Sequence, residues 1–167
     1  MRSNLLVVKC PRLTSLFAGA LCLLVVIALC SCGNKATDEE IIRATVNGAV
    51  LSAEAKDIAG FMKVVAKDYR DDNGLDYNGV KGIVFREFFK PGRIKIFVTG
   101  ITVEVKGEKG LVTAKAVLVR GAEVKTIKDV FPENADAFKF TLIFKKQGAQ
   151  WKLFNATWEP VSVAGLL

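Results

Sequence analysis

The fold is decided by a stretch near the C-terminus, residues 138–158, which reads FKFTLIFKKQGAQWKLFNATW. Its first half alternates aromatic or aliphatic side chains with polar ones, and a two-residue period is typical of a half-buried β-strand. Gln147 and Gly148 form a turn signal, and apolar and polar residues alternate again from Trp151. The stretch therefore predicts a β-hairpin with one face in the core.

Two further strands are predicted upstream of this hairpin. An apolar alternation begins at Ile94, is interrupted at Gly100 and then resumes, which predicts one long strand with a bulge or bend at that glycine. Residues 107–110 are typical of a hairpin turn, and residues 112–119 alternate as a second strand. Residues 125–136 are expected to form an irregular excursion. The strand lysines are expected to lie on a solvated convex face; they are Lys95, Lys106, Lys115, Lys139 and Lys145.

Three helices are predicted before the strands. Thr37 and Glu40 have the spacing of a capping box, and apolar residues at helical spacing continue to about Ala55. A second helix is expected from about Asp57 to Lys67 and a third from about Tyr77 to Phe89. Three helices followed by four antiparallel strands make an α+β domain.

The N-terminus has the order of a secretory signal. Residues 1–12 carry three basic side chains and no acidic one, and residues 13–29 are uncharged and mostly apolar. The four residues Leu29 to Cys32 then resemble the lipobox of bacterial lipoproteins, with the small Ser31 just before the cysteine that is modified. Cleavage before Cys30 would place bulky Leu29 at the cut, so we expect lipidation of Cys32. An uncleaved anchor and ordinary secretion remain the alternatives.

These signals divide the chain into a lipoprotein signal peptide (1–31), a lipidated tether (32–36), a folded domain (37–161) and a C-terminal tail (162–167). The four residues between Cys32 and Thr37 span only about 13–14 Å when extended, so the domain is expected to lie close to the bilayer. Gly33 is not the Asp that often retains lipoproteins in the inner membrane. We therefore expect the cell envelope, with the periplasmic face of the outer membrane favoured.

Composition excludes several classes of function. Histidine is absent, and all four cysteines lie within the first 32 residues, so the domain has no imidazole base, thiolate nucleophile or disulfide framework. Beyond Cys32, 21 basic residues face 17 acidic ones without a basic cluster, which argues against a nucleic-acid partner. Weak attraction to an anionic membrane surface stays open. No metal and no cofactor are predicted.

The element order resembles the nuclear transport factor 2-like (NTF2-like) or cystatin-like superfamily, as do the segments AKDYRDDNG at 66–74 and WKLFNATW at 151–158. The likeness covers residues 37–161. It implies three helices packed on a strongly curved four-stranded antiparallel sheet, a cone with an apolar concave face. Superfamily enzymes such as ketosteroid isomerase and scytalone dehydratase use Asp, Tyr or His in that cone.

The residues expected to line a pocket are Asp68, Tyr69, Tyr77, Trp151 and Trp158. Tyr69 is instead favoured as an anchor that packs the second helix on the sheet, and the tryptophans as core or rim. The acidic loop from Asp68 to Asp76 does not fit an EF-hand, because placing Gly74 sixth puts Tyr69 first and Val80 twelfth. It is better explained as a connection in which side chains cap the backbone.

We expect a membrane-anchored, non-enzymatic protein that binds a hydrophobic small molecule, lipid or peptide in the concave face. One alternative is a small lyase or isomerase that uses Asp68 or another pocket carboxylate. The other is an envelope interaction module whose cone is filled with side chains. The expected partners are the membrane, through the anchor, and a hydrophobic ligand or an envelope protein.

Overall fold

A computed structural model describes residues 36–121, 124–130 and 135–163, which lie in one compact unit that begins at Ala36. The predicted signal peptide and residues 32–35 of the tether, Cys32 among them, fall outside the described residues. The helices are α1 (Asp38–Glu54), α2 (Ile58–Met62) and α3 (Tyr77–Phe89), with a 3-10 turn at Ile127–Asp129. The strands are β1 (Ile94–Lys106), β2 (Lys109–Arg120), β3 (Ala135–Gln147) and β4 (Gln150–Pro160). They pair antiparallel in the order β1-β2-β3-β4.

The predicted α+β architecture of three helices and four strands is confirmed. The capping box is present: the Thr37 backbone N–H donates to Glu40 Oε2 at 2.7 Å, and the Glu40 N–H donates to Thr37 Oγ1 at 3.2 Å. The bulge in β1 lies where it was expected, between Val98 and Gly100. Within the described ranges, the helices fall short of the length and apolar character that a membrane crossing needs.

One face of the sheet packs against α1, and we call it the helix face. Ile42 of α1 meets Val112, Phe144 and Trp151 in a cluster that excludes solvent almost completely. We call these contacts the α1 interface. The same face continues beyond α1 through Phe140, whose partner on β4 is Trp158. Trp158 is 44% exposed, so this end of the face is not covered as the first end is.

The opposite face of the sheet, the outer face, differs from the solvated surface that was expected. Val117 and Val119 of β2 and Ala137 of β3 are buried there, together with Val130 of the excursion and with Val163 packed against them. Lys115 remains exposed on this face. The prediction of a solvated face is correct where Lys115 is exposed. The apolar part of the same face is covered by the excursion and by the C-terminal segment.

The second helix is shorter than predicted, and residues 63–67 are not helical. Asp57 caps α2, but the chain leaves the helix after Met62. The Leu153 N–H donates to the Val64 carbonyl and the Ala66 N–H donates to the Leu153 carbonyl, both at 2.8 Å. The unpaired edge of β4 therefore recruits this segment, and two β-branched valines suit extended backbone. The helical periodicity was overridden by pairing with a strand almost 90 residues away in sequence.

Candidate functional site

The structure brings three of the five candidate pocket residues together. Residues 63–67, which pair with β4, are called the extended segment below. Asp68, Tyr69 and Tyr77 line an open cavity of about 570 Å³ where this segment turns towards α3. The remaining lining residues are Lys67, Arg70, Asp76 and Asn78. The cavity is therefore lined by charged residues of both signs and by two tyrosines, rather than by the apolar wall that was expected.

Tyr69 is the buried member of this group, with 3% of its surface exposed, and it packs in the core with Val65, Phe88 and Ala156. Desolvation, followed by the nearby Asp71 carboxylate, raises the pKa of Tyr69 to about 12. Its hydroxyl stays protonated near neutral pH and is a hydrogen-bond donor rather than a base. The packing agrees with the interpretation of Tyr69 as an anchor.

Asp71 is a buried carboxylate whose role is to shape the loop. Its Oδ1 accepts the backbone N–H groups of Asn73 and Leu75, each at 2.9 Å, and its Oδ2 lies 3.5 Å from the Tyr69 hydroxyl. Asp76 caps α3 by accepting the Gly79 N–H at 2.8 Å. These contacts match the capped connection that the sequence favoured. Among the described residues there is no cluster of three or more His, Cys, Asp or Glu side chains that could hold a metal ion.

The two tryptophans lie outside this cavity. Trp151 is buried in the α1 interface, and its Nε1 donates to Asp38 Oδ1 at 3.0 Å. Lys146 Nζ contacts the same carboxylate at 2.8 Å, and the hydrogen bonds from Lys146 and then Trp151 lower the pKa of Asp38. Trp158 is partly exposed beside Phe140. Trp151 is thus a core residue, as the sequence favoured, and Trp158 a rim residue.

A second cavity, of about 550 Å³, adjoins the first and was not anticipated. Lys67 and Tyr77 line both cavities, and Lys67 Nζ lies 3.8 Å from the centre of the Tyr77 ring. The apolar floor of the second cavity comes from α2 and the extended segment. It consists of Ile58, Ala59, Met62, Val65 and Ala66.

Four lysines and one glutamine complete the lining of this second cavity, which we call the lysine-rimmed cavity. They are Lys63, Lys67, Lys81, Lys152 and Gln147. Lys152 Nζ donates to the Lys63 carbonyl at 2.6 Å, which joins β4 to the extended segment. In the described part of the chain, none of the four ammonium groups lies within 4 Å of a carboxylate oxygen. Gln147 Nε2 lies 3.4 Å from Asp68, a carboxylate of the neighbouring cavity.

Sequence reasoning missed this site because its lysines are dispersed. Lys63 and Lys67 lie in the segment that was predicted to be helical, Lys81 lies on α3, and Lys152 lies on β4. Their association depends on the pairing of the extended segment with β4, which no local pattern indicates. In the sequence, Lys63, Lys67 and Lys81 lie near one another, but they do not form a run of basic residues.

Solved structures share this fold at low sequence identity. An NTF2-like protein of unknown function from Pseudomonas putida KT2440 matches at TM-score 0.60 and 16% identity, over 72% of this chain and 84% of its own. A cystatin-like protein of unknown function from Nostoc punctiforme matches at TM-score 0.60 and 10% identity, over 76% and 95%. Bdellovibrio bacteriovorus Bd1075 matches at TM-score 0.60 and 14% identity over 72% of this chain, which spans only 40% of Bd1075.

No family model and no curated protein sequence matches the chain. At identities below 20%, the solved structures show the fold and nothing finer. The fold is therefore NTF2-like, and the function has to be argued from the two cavities.

Proposed function

We propose that the protein is a lipid-anchored lipoprotein of the cell envelope whose NTF2-like domain is a non-enzymatic module that binds a lipid or another hydrophobic small molecule. The observation that carries this proposal is the lysine-rimmed cavity, whose floor is apolar and whose volume is about 550 Å³. A volume of that size is in the range of ordinary ligand pockets.

The ligand is assigned to this cavity rather than to the part of the helix face under α1, because the α1 interface leaves no room for one. Ile42, Val112 and Phe144 are essentially inaccessible there, and so is Trp151. At the floor of the cavity, in contrast, Ile58 and Ala59 of α2 remain accessible to solvent. A ligand bound in the cavity removes apolar surface from water, which stabilises the complex by about 25 cal/mol for each Å² buried.

The non-enzymatic assignment rests on how the pocket carboxylates and tyrosines are used. Asp71 holds the backbone of its own loop, and Asp76 caps α3. Tyr69 has a pKa of about 12, far from the neutral value that suits an acid or base catalyst. Asp68 is exposed to solvent rather than enclosed in an apolar site. These groups therefore favour binding over proton transfer.

The anchor is proposed on Cys32, and mass spectrometry of the membrane-extracted protein tests it. We expect an N-terminal peptide that begins at Cys32 and carries a diacylglycerol mass. Two acyl chains or more are needed for stable anchoring. An N-terminus upstream of Cys32, or an unmodified Cys32 thiol, would contradict the anchor.

Ligand binding is tested by filling the cavity. Ala59 lines it from an exposed position on α2, so Ala59→Trp should occupy the space with little cost to the fold. Small molecules extracted from the purified wild type and the variant are compared by mass spectrometry. We expect a ligand in the wild type that the variant has lost.

Ala44→Trp is the matched control, because Ala44 is exposed on α1 and does not line the cavity. It should retain the ligand. Loss of the ligand in both variants, or in neither, would place binding elsewhere. Absence of any co-purified or added lipid in the wild type would remove the binding function itself.

A further inference from the structure

We infer that the ligand of the lysine-rimmed cavity is an anionic amphiphile, with a phosphate-bearing head group on the four lysines and an apolar chain on the floor of the cavity. This inference rests on the proposed binding function and deepens it by naming the ligand class. Two observations carry it: the one-sided charge of the rim and the apolar side chains beside it, in a cavity near the start of α1.

The charge of the rim is all of one sign. Each of the charged residues that line the cavity is a lysine: Lys63, Lys67, Lys81 and Lys152. Some lysines elsewhere contact carboxylates, as in Lys146–Asp38 at 2.8 Å and Lys139–Glu159 at 2.9 Å, whereas no carboxylate is among the residues that line this cavity. Four ammonium groups around one cavity repel each other, and an anion placed between them relieves that repulsion.

The lysines stand above an apolar floor rather than on a flat surface. Met62, Val65 and Ala66 are buried at that floor, with Ile58 beside them. A small inorganic anion would satisfy the lysines and leave Ile58 and Ala59, the accessible part of the floor, in water. An amphiphile satisfies both, because its head group meets the ammonium groups and its chain covers the apolar side chains.

The cavity lies at the end of the domain where the tether joins. Asp38, the first residue of α1, contacts Lys146 and Trp151. The chain neighbours of these two residues, Gln147 and Lys152, line the cavity. A lipid on Cys32 lies only five residues before Thr37, within about 17 Å along an extended chain. With the anchor proposed on Cys32, we expect the start of α1 to lie near the lipid head groups.

The test uses the full chain extracted from membranes in a non-ionic detergent. Native mass spectrometry counts the short-chain lipid molecules retained when dihexanoyl phosphatidylglycerol, dihexanoyl phosphatidylcholine or inorganic phosphate is added. We expect retention of phosphatidylglycerol and little of the other two. Lys63→Gln with Lys81→Gln should weaken retention by about fivefold for each lysine, roughly 25-fold in all.

Two matched controls separate site from net charge. Lys115→Gln with Lys128→Gln removes the same charge from exposed positions outside the cavity and should change retention little. At Ala59 on the cavity wall, Ala59→Glu should abolish retention, whereas Ala59→Gln, of the same size, should preserve most of it. Equal effects of Glu and Gln, or of the two lysine pairs, would overturn the inference.

The source of the amphiphile is distinguished in vesicles. The full chain is reconstituted in phosphatidylcholine vesicles with or without phosphatidylglycerol, and hydrogen exchange is followed over residues 58–67. Slower exchange only in the anionic vesicles identifies the bilayer as the source. Slower exchange also with the dissolved short-chain lipid shows that a free amphiphile is accepted as well.

The failure of the inference differs from the failure of the proposed function. Equal retention of phosphatidylcholine and phosphatidylglycerol would overturn the anionic class and leave a lipid-binding module. Equal retention of inorganic phosphate would overturn the amphiphile. Retention of none of the three probes, together with unchanged exchange in both vesicles, would overturn the inference and the binding function together.

Discussion

The α1 interface and the lysine-rimmed cavity are built from the same residue types and reach opposite outcomes. Both place apolar side chains beside lysines of the β3–β4 hairpin. In the α1 interface, Lys146 contacts Asp38 while Trp151 and Phe144 exclude water. In the cavity, Lys152 reaches only the carbonyl of Lys63, and Ile58 and Ala59 of the floor stay accessible to solvent. The α1 interface is closed by the protein's own side chains, whereas the lysine-rimmed cavity remains accessible to a ligand.

This difference separates residues that stabilise the fold from residues that serve binding. A buried aromatic side chain and a paired carboxylate are expected to affect the free energy of unfolding. Exposed lysines without carboxylate partners are expected to affect it little. Four variants test whether the two kinds of residue are separate in this way. Their expected effects on the free energy of unfolding decrease from the core of the α1 interface to the rim of the cavity.

Trp151→Ala is expected to have the largest effect. The side chain is 2% exposed, and its loss leaves a cavity and removes the donor to Asp38. Truncation of a buried tryptophan costs about 3–5 kcal/mol of the free energy of unfolding. Chemical denaturation followed by circular dichroism measures it. Trp158→Ala on the same strand is the control, and its 44% exposure predicts a loss of about 1 kcal/mol or less. Equal losses would contradict the division of β4 into a closed and an open end.

Thr37→Ala is expected to cost about 1 kcal/mol of unfolding free energy, because it removes the side-chain acceptor of the capping box. The effect should be partly restored by Thr37→Ser, which keeps the hydroxyl. Denaturation midpoints measure both variants. A Thr37→Ser protein as unstable as Thr37→Ala would mean that the hydroxyl is not what holds the start of α1.

Most of the fold could be predicted because its signals are local. Two-residue alternation located the strands, the capping box located the start of α1, and Gly100 located the bulge in β1. The failure at residues 63–67 has a physical cause. These residues have apolar side chains at helical spacing, but they lie beside the unpaired edge of β4. Backbone hydrogen bonds to Leu153 outweigh the local preference for a helix.

The site was less accessible to sequence reasoning because it depends on that same failure. With residues 63–67 in a helix, Lys63 and Lys67 would not have joined Lys152 around a cavity. Asp68, Tyr69 and Tyr77 could be grouped because they are close in sequence, and they do share a cavity. Strict alternation would put Trp151 and Trp158 on opposite faces, but a register shift in the β3–β4 pairing brings both to the helix face, where packing against α1 buries only Trp151.

Acidification is expected to weaken the contacts of Asp38 in the α1 interface. Hydrogen bonds from Lys146 and Trp151 hold the pKa of Asp38 below its ordinary value of 3.8. A carboxylate whose folded pKa is lowered contributes stability that is complete above the unfolded pKa and is lost as the pH falls through the folded pKa. The wild type should therefore lose its advantage over Asp38→Asn below about pH 3.8. Thermal unfolding at pH 6 and pH 3 gives the difference, and a gap that stays constant would contradict this coupling.

The smallest effect on stability is expected from Lys63→Gln with Lys81→Gln, at the rim of the cavity. Neither ammonium group lies within 4 Å of a described carboxylate, so the free energy of unfolding should change by less than about 0.5 kcal/mol. Relief of repulsion among the four lysines could even raise it slightly. Denaturation of this pair beside Lys115→Gln with Lys128→Gln measures the change. A loss above 1 kcal/mol would show that the rim lysines hold the fold together. If the free energy of unfolding hardly changes while anion binding is weakened, the four lysines around the apolar floor serve ligand binding rather than stability.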